Sequence, residues 1–258
     1  MNQTPARMGW EWVRQGFGML RRQPAGLTAL FFGYMLVSML LNIIPLLGAI
    51  AHSVLTPVFV IGFLTAARDV EAGRMVLPRT LIAGFREPAF GRLCKLGGLH
   101  VLAILAAVTV MMLFADTTVL KGKSPDDLQP SLALMQEVIQ FPGLQIGFVL
   151  YVVMLLVITF AAPIVCWNGM GPGKGLFYSF FAIKRTAGAF LVLVLSLGAI
   201  AFGAMMVLRL LFGAGAVGQA LMGMVSVLLY GIGHIALYFP YTHIFGALPD
   251  TKAAPPAP

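Results

Sequence analysis

Five windows of this sequence contain no Asp, Glu, Lys or Arg: Pro24 to Ala67 (44 residues), Leu96 to Ala115 (20), Val138 to Gly173 (36), Thr186 to Leu208 (23) and Leu210 to Pro249 (40). A helix rises about 1.5 Å per residue, so about 20 apolar residues cross the roughly 30 Å hydrocarbon core of a bilayer. The windows predict membrane-spanning helices and an all-α integral membrane protein. Composition excludes the soluble alternative. Hydrophobic residues make up 59% of the 258 and charged residues 10%, too little polarity to cover a water-borne domain of this size.

The longest window must hold two crossings, and Asn42-Ile43-Ile44-Pro45-Leu46-Leu47-Gly48 supplies the break between them. Spans are expected near 27–44, 49–67, 96–115, 143–165, 187–212 and 217–239. The last two are separated by Gly213-Ala214-Gly215. The aromatic run from Pro240 to Phe245 is expected at the membrane interface, and 250–258 reads as a disordered tail on a single transmembrane domain of residues 1–249.

Orientation follows from the cations, because basic flanks resist translocation. With six spans, one side holds Arg7, Arg14, Arg21 and Arg22, the loop from Arg68 to Lys95, then Lys174, Lys184, Arg185 and Lys252, which is 14 of the 17 Lys and Arg. Both termini are therefore expected in the cytoplasm. The 26 residues before the first apolar run lack a signal-peptide pattern and are expected to remain in the mature protein. A formal charge of +8 spread through short loops fits anionic lipid headgroups, not nucleic acid. Cys94 and Cys166 fall at cytoplasmic span ends and read as unpaired packing residues.

Ahead of span one, Trp10, Val13, Phe17 and Leu20 recur at helical spacing opposite Arg14, Arg21 and Arg22, which predicts an amphipathic helix in the headgroup layer. Similar pieces precede span three (Leu77, Leu81, Ile82 and Phe85 with Arg79, Arg86 and Arg92) and span five (Leu176, Phe177, Phe180 and Phe181 with Lys184 and Arg185). Pro57, Pro163 and Pro240 follow in or just beyond each even span. The chain thus reads as three transmembrane hairpins, each preceded by a basic amphipathic interfacial helix. The remaining loop, 116–142, contains Ser124-Pro125-Asp126-Asp127, a helix start, and reads as a connector resting on the outer surface.

Few residues within the spans could carry chemistry. Arg209 lies about one turn from the outer end of span five, where it can snorkel to the interface or contact a substrate or headgroup. His234 sits among Gly231, Gly233 and Tyr230, facing a cavity or bonding to a neighbouring helix. His52, His100 and His243 read as interfacial. The midplane offers hydroxyls such as Ser38, Thr109, Thr159, Ser196 and Ser226 but no carboxylate, which argues against ion-coupled transport and moves any binding site to the interfaces. Gly169 to Gly175 fails as a phosphate loop, because Asn168 replaces the first glycine and Gly175 the magnesium-holding hydroxyl. No catalytic, metal or cofactor motif is present.

Trp10-xx-Val13-xxx-Phe17, the turn Ile44-Pro45-xx-Gly48, Pro57 with Gly62, and Ala67-Arg68-Asp69-xxx-Gly73 together resemble a family of uncharacterised multi-pass membrane proteins of Gram-negative bacteria, chiefly beta-proteobacteria. Similar hairpins occur in membrane domains attached to some glycerophosphodiester phosphodiesterases. The resemblance implies an inner-membrane location and an all-helical six-span fold, with no catalytic residues to transfer. Two functions fit. In one, a non-enzymatic protein holds anionic lipid through Arg21, Arg22, Arg86 and Arg92. In the other, a transporter or exporter passes a small molecule between the hairpins, with Arg209 near the outer mouth and His234 deeper. A lipid-modifying enzyme would need polar groups clustered at one depth.

Overall fold

The computed structural model describes residues 4–114, 141–213 and 215–246. The expected helix after Ser124 and the tail 250–258 lie outside them. Among the described residues six helices are long and apolar enough to cross a membrane. They form three hairpins: α2 (Pro24–Asn42) with α3 (Leu47–Glu71), α5 (Phe90–Leu113) with α6 (Pro142–Trp167), and α8 (Ala187–Phe212) with α9 (Ala216–Ala236). Proline stands at the start of α2 and α6, where its missing N–H costs nothing and its fixed φ favours the helix. Gly213 ends α8 at φ +65°, as the Gly-Ala-Gly break predicts. Cys94 and Cys166 are unpaired.

The central element is α3. Over half of its apolar window (56%) is buried inside the protein, against 6% for α8, so α3 is the hub and α8 a peripheral span. The second hairpin packs on α3, while α9 touches both α3 and α2.

The interfacial pieces differ from one another. The first, α1 (Arg7–Arg22), packs across α8 and α9. Its buried face is Gly9, Trp12, Val13, Gly16 and Met19, whereas Trp10 is 49% exposed. The stripe expected from Trp10 is thus rotated, because the small residues admit close backbone contact. A Cβ on Gly9 would lie 2.0 Å from the Ala189 carbonyl oxygen. Trp12 then meets Phe190 and His243 edge to face, with ring centroids 5.6 and 6.2 Å apart.

The second piece is not a helix of its own. Prolines at 78 and 88 confine it to a 3-10 turn (Pro78–Ile82) and a single turn, α4 (Ala83–Arg86). Leu81 is buried beneath it, but Leu77, Ile82 and Phe85 are exposed. The third, α7 (Pro172–Arg185), packs its small face inward through Gly175, Ser179 and Ala182. Ser179 Oγ donates to the Val157 carbonyl at 2.7 Å, and Phe177, Tyr178, Phe180 and Phe181 face away from the bundle. That reverses the pattern of a soluble helix and suits apolar surroundings.

The run after span six packs more deeply than an interfacial tail. It forms α10 (Tyr238–Phe245), with Tyr241 at 1% exposure and its hydroxyl donating to Asn168 Oδ1 at 2.9 Å. The junction between α1 and α2 also holds a distant loop. Gln23 Nε2 donates to the Arg74 carbonyl at 2.5 Å, and Gln23 Oε1 accepts from the Val76 N–H at 2.8 Å. Gln23→Ala removes both bonds and is expected to destabilise the protein by about 1–2 kcal/mol, read as a lower thermal midpoint in detergent. An unchanged midpoint would count against this clamp.

Candidate functional site

Between the hairpins lies a partly open cavity of about 490 Å³. Helix α3 contributes His52, Ser53 and Thr56; α5 contributes His100; α6 contributes Tyr151 and Thr159; α9 contributes Tyr230, Gly233 and His234. Leucines and other aliphatic side chains, including Leu193 and Leu197 of α8, complete the wall. Among the described residues no carboxylate, lysine or arginine lines it. The site is an apolar chamber with neutral polar groups projecting into it, a common design for small-molecule recognition.

On one side, α2 closes the chamber with a hydrogen-bonded layer. The Tyr34 hydroxyl lies 3.0 Å from both the Tyr230 hydroxyl and His52 Nε2. Ser38 Oγ approaches the same nitrogen at 3.1 Å. The rings of Tyr34 and Tyr230 stack with centroids 5.4 Å apart and planes 9° apart. Tyr34 is buried, and these contacts satisfy its hydroxyl in a low-dielectric setting where an unpaired one would be costly. A second hollow of about 390 Å³ lies across this layer, lined by Met35 and Ser38 of α2 with Ser226 and Val227 of α9. His52 and Tyr230 border both hollows.

On the other side, His100 is buried at 4% exposure. Its Nδ1 lies 3.3 Å from the Ser53 carbonyl, and its ring stacks on Tyr151 with planes 16° apart. Nε2 of His100 is buried without a hydrogen-bond partner among the described residues. His234 Nδ1 lies 3.0 Å from the Tyr230 carbonyl one turn earlier, and its ring packs against Tyr230 and Phe63.

His52 and His100, expected near span ends, both line the cavity. Arg92 and Lys95 end the charge-free window, but the helix does not end with it. α5 begins at Phe90, so His100 falls near mid-helix. The hollow they line lies between the hairpins. Among the expected site residues, His234 lines the cavity, while Arg209 is exposed near the far end of α8 and does not. Arg21, Arg22 and Arg86 are exposed at the basic end of the molecule. Arg92 is engaged within the fold, donating to the Gly169 carbonyl at 2.6 Å.

Sequence reading missed Tyr34, Tyr151 and Tyr230, because a tyrosine in an apolar span resembles ordinary packing. The one available signal was polar: tyrosine hydroxyls and histidines recur within five of the six spans, and buried ones need partners. Chemically, the arrangement can accept and donate hydrogen bonds and relay a proton along Ser38, His52, Tyr34 and Tyr230. Among the described residues no carboxylate lines either hollow. Among the described residues no group of three or more His, Cys, Asp or Glu is placed to hold a metal.

Over 95% of its length the chain is 34% identical to a protein described as a probable inner membrane protein of Burkholderia thailandensis, covering 93% of that relative. The chain belongs to this family of inner membrane proteins. The match covers 95% of the chain and therefore runs through all three hairpins. No protein-family model matches the chain. No solved structure matches it either.

Proposed function

We propose that this inner membrane protein is a non-enzymatic carrier or exporter of a small molecule, which it binds in the cavity between the hairpins. The observation that carries this reading is the convergence of His52, His100, His234, Tyr151 and Tyr230 from four helices onto one apolar chamber. Polar side chains within spans are expensive unless they face one another or a cavity, and here they do both. The basic end faces the cytoplasm in this reading, as the placement of arginines requires. Native mass spectrometry of the protein extracted with its lipids tests it. The expected result is a retained small molecule beyond the bulk phospholipids, and its consistent absence would contradict the reading.

A second role concerns the surface. Arg14, Arg21, Arg22, Arg79, Arg86, Lys184 and Arg185 are basic residues of the pieces around α1, α4 and α7, where anionic headgroups would lie. The aromatic side chains of α7 face outward beside Lys184 and Arg185, which suits an interfacial helix. Reversing the charge of Arg21, Arg22 and Arg86 together is expected to weaken retention of anionic over zwitterionic lipid in mixed nanodiscs by about a hundredfold, at roughly 1 kcal/mol per cation. Unchanged lipid preference would remove this role.

A further inference from the structure

A single layer of side chains separates the cavity from the smaller hollow between α2 and α9, and Tyr230 belongs to the lining of both. Its partner across the seam, Tyr34, is fixed in place. Tyr34 is buried, and its ring stands edge to face on Phe59 and Phe63 of α3, with centroids 5.3 and 5.2 Å away. Tyr230 is exposed, and what holds it to Tyr34 is the stacking of the two rings and the contact between their hydroxyls. Stacking and a single hydrogen bond are each modest, and a χ1 swing of Tyr230 breaks both without moving a helix. Tyr34 has the build of a latch and Tyr230 that of a panel.

The seam itself says where the panel leads. Nearer the basic end α2 and α9 are locked, since a Cβ on Gly231 would lie 2.3 Å from the Phe31 ring. In the other direction they part around the hollow of about 390 Å³. Side chains on these parting stretches, Leu36 and Met39 of α2 and Met224 of α9, are apolar and exposed, the kind of surface a spanning helix turns to acyl chains. From this geometry we infer that Tyr230, latched by Tyr34, is a lateral gate through which a lipophilic molecule dissolved in the bilayer enters the cavity. The inference rests on the carrier reading above and deepens it by naming the substrate class and its route.

The test uses the full chain in nanodiscs, with Cys94 and Cys166 replaced by alanine and one reporter, Leu155→Cys, on the cavity wall. Its modification rate is measured with an alkyl maleimide dissolved in the bilayer and with a charged, membrane-impermeant maleimide in the buffer. Tyr230→Phe keeps the ring and removes the latch bond, so the alkyl reagent should react roughly fivefold faster, the population worth of one net hydrogen bond. The rate with the buffer reagent should not change. Tyr34→Phe removes the same bond, so adding Tyr230→Phe to it should give no further rise. An unchanged alkyl rate in Tyr230→Phe, or two rises that multiply in the double variant, overturns the gate. An equal rise for the buffer reagent overturns entry from the bilayer. Each of these results leaves the carrier reading intact. Absence of modification by either reagent in every variant overturns both.

Discussion

Gly97→Leu is expected to abolish the folded, monodisperse protein, whereas Gly98→Leu, one residue along the same helix, is expected to be tolerated. A Cβ at position 97 would lie 1.9 Å from the Val54 carbonyl oxygen and 2.5 Å from its carbon, while one at 98 meets nothing within 4 Å. The obstacle at 97 is backbone, which cannot rotate away as a side chain can. Overpacking a core commonly costs about 1–3 kcal/mol, and a backbone collision exceeds that because α3 and α5 must separate along their contact. His100 follows one turn later and would lose its approach to Ser53. Size-exclusion profiles and thermal midpoints in detergent read the contrast. Equal behaviour of the two variants would mean that α3 and α5 do not pack this closely.

Gly233→Leu is the second large effect, on binding instead of folding. Gly233 lines the cavity, and a Cβ there would make an ordinary contact with Leu197 Cδ1 at 3.7 Å. The added side chain therefore fills the chamber without striking backbone. Retention of the co-purifying small molecule should fall roughly tenfold or more, equivalent to a loss of at least about 1.4 kcal/mol, while the thermal midpoint shifts by only a few degrees. Undiminished retention in a folded Gly233→Leu protein would place the bound molecule elsewhere.

Much of this fold was legible because a bilayer imposes a coarse rule that the sequence obeys. Charge-free windows marked all six spans, and α8 spans the expected residues 187–212. Boundaries drifted where charged residues lie inside a helix: Arg92 and Lys95 belong to the start of α5, and Arg68 and Asp69 to the end of α3. The orientation of α1 was hidden because helical spacing alone does not say whether Trp10 or Trp12 faces the bundle. Gly9 against Ala189 decides that, and this is a tertiary contact.

The cavity was least legible for the same reason. Tyr34 and Tyr230 are hydrogen-bonded yet 196 positions apart, and no local pattern announces their meeting. His234 stood out because polar residues in spans are few. His100 did not, since it was counted from the wrong helix start. The absence of midplane carboxylates remains informative: among the described residues the cavity is lined by neutral side chains.

The central claim is that a ligand-accessible chamber exists between the hairpins. Substituted-cysteine labelling tests it most directly, in a background where Cys94 and Cys166 are replaced by alanine. Single cysteines at Thr56, Leu155, Thr159, Leu229 and Gly233, all lining the cavity, are compared with cysteines at Leu195 and Phe202, which face outward from α8. A small thiol reagent should modify the cavity positions more than the outward positions, because thiolate forms where water reaches the polar groups of the cavity and not in lipid. Uniform protection of the cavity positions in the membrane-embedded protein would contradict the account.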